Sequence, residues 1–260
     1  MKKEQLNVCI VQSELDWEQP DQNRNRFENW LDQLPADTDL VILPEMFTSG
    51  FSMNAADLAE PMDGPTVHWM VQMAANHRTA ICGSLIIEEA GHYYNRLIFV
   101  EAGGEYHTYD KRHTFTLAGE HEVYRAGNQR LIIDYKGWKI CPLICYDLRF
   151  PVWARNNEGY DLLIYTANWP DKRVSAWDAL LKARAIENMS YCIGVNRVGQ
   201  DGNGHLYTGH SAVYDALGAQ ISAHQEEGEW LESVRLSKPD LVEVRTRLQF
   251  LEDQDSFSLI

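Results

Sequence analysis

The segment Trp138-Lys139-Ile140-Cys141-Pro142-Leu143-Ile144-Cys145-Tyr146-Asp147-Leu148-Arg149-Phe150-Pro151 decides how this chain is read. An apolar run passes into a thiol, Cys145, and then breaks into polar residues and a proline. That pattern predicts a buried strand delivering the thiol to its C-terminal rim, the edge of an α/β sheet where ligands bind. A thiol so placed is a candidate nucleophile. Viewed by itself, Cys145 is better read as an inert core thiol, because free cysteine is among the most buried residue types.

On either side of this segment, strand-like and helical patterns alternate, the signature of an α/β protein. Val8 to Val11 reads as a strand. Asp21 to Leu34 carries Phe27, Trp30, Leu31 and Leu34 at helical spacing before Pro35. Asp39 to Leu43 is a short apolar strand ending at Pro44-Glu45, and Pro65 opens a helix reaching about His77, since proline suits a helix's first turn. From Thr79 the alternation gives way to three consecutive strands, Ala80 to Glu88, Tyr93 to Glu101 and Glu105 to Asp110, with turns at Gly91 and Gly103-Gly104. A meander of this kind implies mixed sheets.

Leu131 to Tyr135 pairs with the Cys145 strand through a turn at Lys136-Gly137, and Leu162 to Tyr165 is a further strand. A helix is expected from Ser175, with Ser175 as N-cap and Asp178 three residues on, to about Met189. Strands at Tyr191 to Val198 and Gly209 to Tyr214 flank the turn-rich Asp201-Gly202-Asn203-Gly204. One more strand near Trp230 to Leu236 precedes a helix from Pro239, and the apolar tail residues Phe257, Leu259 and Ile260 suggest docking on the body or on a partner subunit. With no linker, low-complexity segment or repeat, residues 1–260 are read as one domain.

The formal net charge of −15 argues against nucleic acid or an anionic membrane surface as partner, because the field repels phosphates. It leaves room for a small anion in a locally basic pocket. No apolar run approaches the roughly 20 residues of a membrane helix, and the start, Met1 to Gln5, runs at once into a strand rather than a signal peptide, so a cytoplasmic location is expected. The five cysteines are odd in number, and Cys9, Cys82, Cys141 and Cys192 lie in apolar strand-like runs, which fits reduced buried thiols. Cys141 and Cys145 on one strand would stand about 13 Å apart, beyond disulfide reach.

Three apolar or strand-like runs end in reactive groups: Leu43-Pro44-Glu45, Tyr109-Asp110-Lys111 and Leu143-Ile144-Cys145. A carboxylate, an ammonium and a thiol on adjacent strand ends form a working set for acyl transfer. The thiol attacks a carbonyl carbon, the carboxylate moves protons, and the ammonium stabilises the charge that develops on oxygen. Taken singly, Glu45 reads as a solvated strand end or helix cap and Lys111 as a surface lysine. A zinc site finds no support, since Cys141 and Cys145 lack a second closely spaced Cys or His pair. His113 and His121 read as loop histidines near the site, and Gly202 and Gly204 as turn residues rather than a phosphate cradle.

In the strings Leu43-Pro44-Glu45-Met46-Phe47, Tyr109-Asp110-Lys111-Arg112-His113 and Ile144 to Pro151 the chain resembles the nitrilase superfamily of carbon-nitrogen hydrolases. Lys182 to Asn188 and Gly209 to Asp215 are similar to further family segments, so the resemblance spans nearly the whole chain. It implies a four-layer α-β-β-α sandwich with two mixed sheets, a homodimer, and metal-independent hydrolysis of a small amide by water without a cofactor. It further implies Glu45 as general base, Lys111 as cationic stabiliser, Cys145 as the nucleophile that forms a thioester, and the backbone N–H of Tyr146 as an oxyanion donor. A second glutamate belongs to the site by the same resemblance. Glu120 fits better than Glu122, with Ala126-Gly127 as the turn that follows.

In the Tyr109 to His113 string, the Ala118 to Tyr124 loop and the segment Tyr165-Thr166-Ala167-Asn168-Trp169-Pro170 the chain looks, within the superfamily, most like the omega-amidase branch, whose members hydrolyse the terminal amide of 2-oxo dicarboxylate monoamides such as 2-oxoglutaramate and 2-oxosuccinamate. Such substrates carry a carboxylate, which calls for a cation in the pocket. Arg173 is the candidate and Lys172 its alternative. Trp169, Phe47 and Tyr124 are candidate apolar walls, although each equally suits core or interface packing. Other activities compatible with the superfamily resemblance are hydrolysis of deaminated glutathione, a nitrile or an N-carbamoyl compound; a non-catalytic scaffold fits less well with an intact Glu45, Lys111 and Cys145.

Overall fold

A computed structural model describes residues 2–223 and 227–257. Two mixed β-sheets stack face to face, with helices on their outer faces. The strands in chain order are β1 (Gln5–Gln12), β2 (Leu40–Ile42), β3 (Ala80–Glu89), β4 (His92–Val100), β5 (Tyr106–Asp110), β6 (Ile133–Tyr135), β7 (Trp138–Ile144), β8 (Leu162–Ala167), β9 (Tyr191–Asn196), β10 (Val198–Gln200), β11 (Leu206–Thr208), β12 (Ala212–Tyr214) and β13 (Trp230–Ser237). The helices are α1 (Pro20–Leu31), α2 (Ala55–Leu58), α3 (Pro65–His77), α4 (Glu120–Val123), α5 (Pro151–Ala154), α6 (Val174–Asn188) and α7 (Lys238–Leu248). Sheet I runs β13-β1-β2-β3-β4-β5 and sheet II runs β12-β9-β8-β7-β6, while β10 and β11 form a separate ribbon.

Alternation along the strands of sheet I builds the layers. In β1, Leu6, Val8 and Ile10 face sheet II, whereas Cys9 and Val11 face α1 and α3, where they meet Phe27, Leu31, Met70 and Ala74. One sheet thus buries both faces, which explains why its central strands read as unbroken apolar runs. On the far side, α6 lies so close to β9 that a Cβ on Gly194 would fall 2.4 Å from Leu181 and 2.6 Å from Trp177. Glycine here permits close approach of a helix to a strand. Central pairs are parallel and edge pairs antiparallel, so β2, β7 and β8 all present C-terminal ends to the same rim.

The expected helix over Asp21 to Leu34 begins at Pro20 and ends at Leu31. Ser175 does not cap α6: the helix starts at Val174 with no side-chain cap, because the chain enters it from a 3-10 turn at Asp171–Arg173. The expected strand Tyr191 to Val198 breaks at Arg197, and Val198 instead starts β10, which pairs with β11. The expected strand from Gly209 begins only at Ala212, since Gly209 and His210 adopt left-handed φ values of 85° and 58°. Of the tail, Gln254 takes a hydrogen bond from Arg155 Nε at 3.0 Å while Phe257 is exposed; Leu259 and Ile260 lie outside the described residues. All five cysteines are free and buried. No described helix is long and apolar enough to cross a membrane.

The two sheets are also tied by charge. The buried Asp39, just before β2, accepts from Lys3 Nζ at 2.7 Å, from Lys136 Nζ at 2.6 Å in the β6-β7 turn, and from the Asn7 N–H at 3.1 Å. Burial pushes its pKa up, but the two ammonium groups and the amide outweigh burial and hold it below the usual carboxylate range. A depressed folded-state pKa contributes stability that is complete above the unfolded value and is lost as pH falls through the folded one. Asp39→Asn is therefore expected to lower the urea midpoint at neutral pH, with the gap to the parent protein narrowing as pH drops below about 4. A gap that stays constant down to about pH 2 would show that the Asp39 charge contributes nothing.

Candidate active site

Three strand ends at the shared rim bring together the groups singled out in the sequence. Glu45 follows β2, Lys111 follows β5 and Cys145 follows β7, and Glu120 opens the short α4. Glu45, Lys111 and Glu120 are all buried. Lys111 Nζ lies 2.9 Å from Glu45 Oε1 and 2.9 Å from each oxygen of Glu120. Glu122, the alternative to Glu120, is solvent-exposed two residues along the same turn of helix.

Two asparagines complete the polar cluster. Asn95, inside β4, donates from Nδ2 to Glu45 Oε1 at 2.8 Å and to Glu120 Oε1 at 3.3 Å. Asn168, just past β8, donates its backbone N–H to Glu45 Oε2 at 2.9 Å and its Nδ2 to the Glu45 carbonyl at 2.5 Å. Neither was found by sequence reasoning. The available signals were an amide within a strand and another at a strand's C-terminal end, both of which also suit ordinary structural asparagines.

The electrostatics follow from burial and pairing. Burial pulls the Lys111 ammonium down, but the carboxylates of Glu120 and Glu45 more than offset it and raise its pKa above the usual lysine value. Burial likewise raises Glu120, against the attraction of Lys111. The Cys145 thiol is pushed well above its ordinary value by burial first and then by the Glu45 charge, which Lys111 only partly counters. The resting thiol is therefore protonated at neutral pH, and it donates to the Asn168 carbonyl 3.8 Å from Sγ.

Cys145 has a left-handed φ of 42°, an uncommon state for a residue with a Cβ. The chain turns sharply there into a 3-10 helix, Cys145–Arg149. Asp147, fully buried, holds that turn. Its Oδ2 accepts from the Ile144 N–H at 3.1 Å and the Tyr109 hydroxyl at 2.8 Å, and its Oδ1 accepts from the His113 N–H at 3.0 Å. His113 Nδ1 also lies 2.7 Å from Oδ1, and its ring stacks on Phe150 at 3.7 Å. One carboxylate thus fixes the strand end bearing Cys145 to the one bearing Lys111.

Cys145, Lys111 and Asn168 line a cavity of about 540 Å³, with Glu45 and Glu120 behind them. Tyr146, Trp169 and Arg173 also line it, together with Phe51, Phe115 and Arg149. Arg149 and Arg173 make no ion pair among the described residues; Arg149 lies 4.8 Å over Trp169 and Arg173 5.2 Å over Phe115. Lys172 shares the turn with Arg173 but does not line the cavity. Phe47 and Tyr124, expected as walls, do not line it either. Phe47 packs edge-on against Phe27 at 5.3 Å in the core beneath α1 and α3, because the chain turns at Met46 (φ 43°) and directs it behind the rim. Tyr124 is buried with its hydroxyl bound to the Ser52 carbonyl at 2.6 Å. Among the described residues no group of three His, Cys, Asp or Glu side chains is arranged to hold a metal ion.

A sequence model of the carbon-nitrogen hydrolase family matches residues 7–246. The chain belongs to that family. It is 43% identical over 254 residues to omega-amidase YafV of Escherichia coli K12, covering 98% of each chain, and 29% identical over 252 residues to the 2-oxoglutaramate amidase of Bacillus subtilis, covering 95% and 96%. Its fold superposes with a TM-score of 0.97 on XC1258 of Xanthomonas campestris, a CN-hydrolase superfamily protein solved with an arsenic adduct in its active site. The identity is 44%, over 99% of this chain and all of that one.

Asp147→Asn keeps the shape but replaces a four-way acceptor by an amide with one acceptor oxygen. A loss of about 1–3 kcal/mol in unfolding free energy is expected from urea titration. An unchanged midpoint would remove Asp147 from any part in holding the turn.

Proposed function

We propose that this carbon-nitrogen hydrolase is an amidase that hydrolyses the terminal amide of 2-oxo dicarboxylate monoamides, 2-oxoglutaramate and 2-oxosuccinamate, to the acid and ammonia. The observation that carries the substrate class is the pair of guanidinium groups, Arg149 and Arg173, that line the thiol's cavity without a carboxylate partner among the described residues. A guanidinium stacked on a ring keeps its N–H edge free, and that edge matches a carboxylate. The likeness to an omega-amidase and to a 2-oxoglutaramate amidase supports the same reading.

In the proposed cycle Glu45 takes the Cys145 proton as sulfur attacks the amide carbon. Negative charge gathers on the carbonyl oxygen, where Lys111 and the Tyr146 N–H are the donors. Lys111 has three N–H groups; a single one shared between the two Glu120 oxygens leaves one for Glu45 and one for this oxygen. Glu45 then returns its proton to the nitrogen, so that ammonia leaves instead of NH2⁻ and a thioester remains. Water enters, Glu45 deprotonates it, and its attack on the thioester releases the acid and restores the thiol. Glu120 keeps Lys111 charged and in place throughout.

Purified protein is expected to release ammonia from 2-oxoglutaramate, and Cys145→Ala to reduce kcat below roughly a thousandth of the parent value with the fold intact. Arg173→Met and Arg149→Met should each lower kcat/KM for 2-oxoglutaramate by roughly 10- to 100-fold, the loss of a charge-assisted hydrogen bond, while an uncharged amide of equal length changes far less. Retained turnover in Cys145→Ala would refute the thiol as nucleophile. Preference for an N-carbamoyl compound or a nitrile in kcat/KM would refute the substrate class.

A further inference from the structure

The acceptor positions on the two buried carboxylates are filled unequally. A carboxylate oxygen offers two lone pairs. Glu45 Oε1 uses both, on Lys111 Nζ at 2.9 Å and Asn95 Nδ2 at 2.8 Å, whereas Oε2 accepts from the Asn168 N–H at 2.9 Å and has one position left for the thiol. Glu120 is saturated: Oε1 takes Lys111 and Asn95, and Oε2 takes Lys111 and the Phe115 N–H. Of four carboxylate oxygens, Glu45 Oε2 alone can accept a proton without first losing one of these bonds.

Asn168 governs that oxygen from the opposite sheet. It follows β8 in sheet II, whereas Glu45 follows β2 in sheet I. Its N–H aims Oε2, its Nδ2 grips the Glu45 carbonyl at 2.5 Å, and its own carbonyl faces Cys145 Sγ at 3.8 Å. The residue is held in turn by its neighbour: the Trp169 N–H donates to Asn196 Oδ1 at 2.8 Å, and Asn196 Nδ2 donates back to the Trp169 carbonyl at 2.9 Å.

We propose that Asn168 is a positioning residue for proton transfer, clipping the two sheets together so that Glu45 Oε2 is the one atom that receives the sulfur proton and hands it to the leaving nitrogen. The inference rests on Glu45 and Cys145 having the roles proposed above. In the first transfer the S–H bond breaks, an Oε2–H bond forms and sulfur bonds to the amide carbon, so that the negative charge passes from Glu45 to the carbonyl oxygen. In the second, Oε2–H breaks, N–H forms and the carbon-nitrogen bond cleaves. Asn168 contributes no proton to either.

The test compares Asn168→Ala and Asn168→Asp with the parent protein, measuring kcat, KM and the pH dependence of kcat/KM on 2-oxoglutaramate, together with the urea midpoint. Asn168→Ala removes the grip on the Glu45 carbonyl and loosens the N–H that aims Oε2. Asn168→Asp keeps the shape but sets a like charge beside Glu45. Expected are a fall in kcat of about 10- to 100-fold with little change in KM, and an acid limb of kcat/KM displaced to higher pH, further in Asn168→Asp, because a carboxylate that loses a donor or gains an anionic neighbour holds its proton more tightly. An acid limb that does not move overturns the proposal, whether kcat is unchanged or falls together with the urea midpoint. Cys145→Ala in the same assay separates the two readings. If it is inert while both Asn168 variants keep the parent kcat and acid limb, this inference alone fails; if it turns over amide, the proposed nucleophile fails first.

Discussion

Two carboxylates and one ammonium, all out of water, set the terms for the rest of this structure. Glu45, Glu120 and Lys111 have practically no exposed surface. Isolated ions in such surroundings would lose several kcal/mol each in solvation. The arrangement is tenable because every carboxylate oxygen meets donors at hydrogen-bond distance and the ammonium meets three oxygens at 2.9 Å. Those donors come from different places in the chain: Asn95 from the middle of β4, Asn168 from beyond β8 and the Phe115 N–H from the loop before α4. A sandwich whose parallel central strands end at one rim can bring them together.

The same constraint shapes the thiol. A sulfur buried beside a carboxylate is a poor thiolate, so Cys145 rests protonated. Its reactivity in the proposed cycle then depends on transfer to Glu45 as attack proceeds, rather than on a thiolate formed in advance. That makes geometry more important than thiol acidity. The left-handed turn at Cys145, the Asp147 acceptor beneath it and the Asn168 carbonyl 3.8 Å from Sγ all restrain where the sulfur sits. Asp147 acts within the pair of strand ends that carry Lys111 and Cys145, and Asn168 acts between the sheets, so the two restraints meet at the sulfur from different directions.

Much of this was legible in the sequence, and what was not has physical reasons. Apolar runs ending in Glu45, Lys111 and Cys145 marked the rim, because a strand buried on both faces leaves a plain run with an abrupt polar end. Pro65 located the start of α3 because proline suits a helix's first turn, and the helix runs to His77 as expected, ending where Arg78 turns left-handed. The start of α6 misled because Ser175 and Asp178 mimic a cap, while the real entry is a 3-10 turn whose geometry depends on Trp169 donating from Nε1 to the Arg173 carbonyl at 2.8 Å. Phe47 misled for a related reason: nearness to Glu45 in sequence suggests nearness in the cavity, yet across the left-handed Met46 the chain places Glu45 in the polar cluster and Phe47 in the core with Phe27. The roles of Asn95 and Asn168 could not be read because their partners lie 50 and 123 residues away.

The net charge of −15 and the proposed anionic substrate pull in opposite directions only at long range. At physiological ionic strength screening acts over about 8 Å, so carboxylates scattered over the surface are felt weakly at the bottom of a cavity. Arg149 and Arg173 act at contact distance, in a site walled by Trp169 and Phe115, where the local dielectric is low and charge-assisted hydrogen bonds are strong. The cavity is not uniformly cationic, since Glu18 and Asp201 also line it. Asp201 is largely satisfied by the Asn203 and His205 N–H groups and the Tyr207 hydroxyl, and Glu18 accepts from the Ser52 hydroxyl at 2.5 Å. The acids lining the cavity are therefore engaged with the protein, while among the described residues its two guanidinium groups make no ion pair and lie over ring faces. That imbalance in partners, rather than the overall charge, supports the anionic ligand of the proposed function.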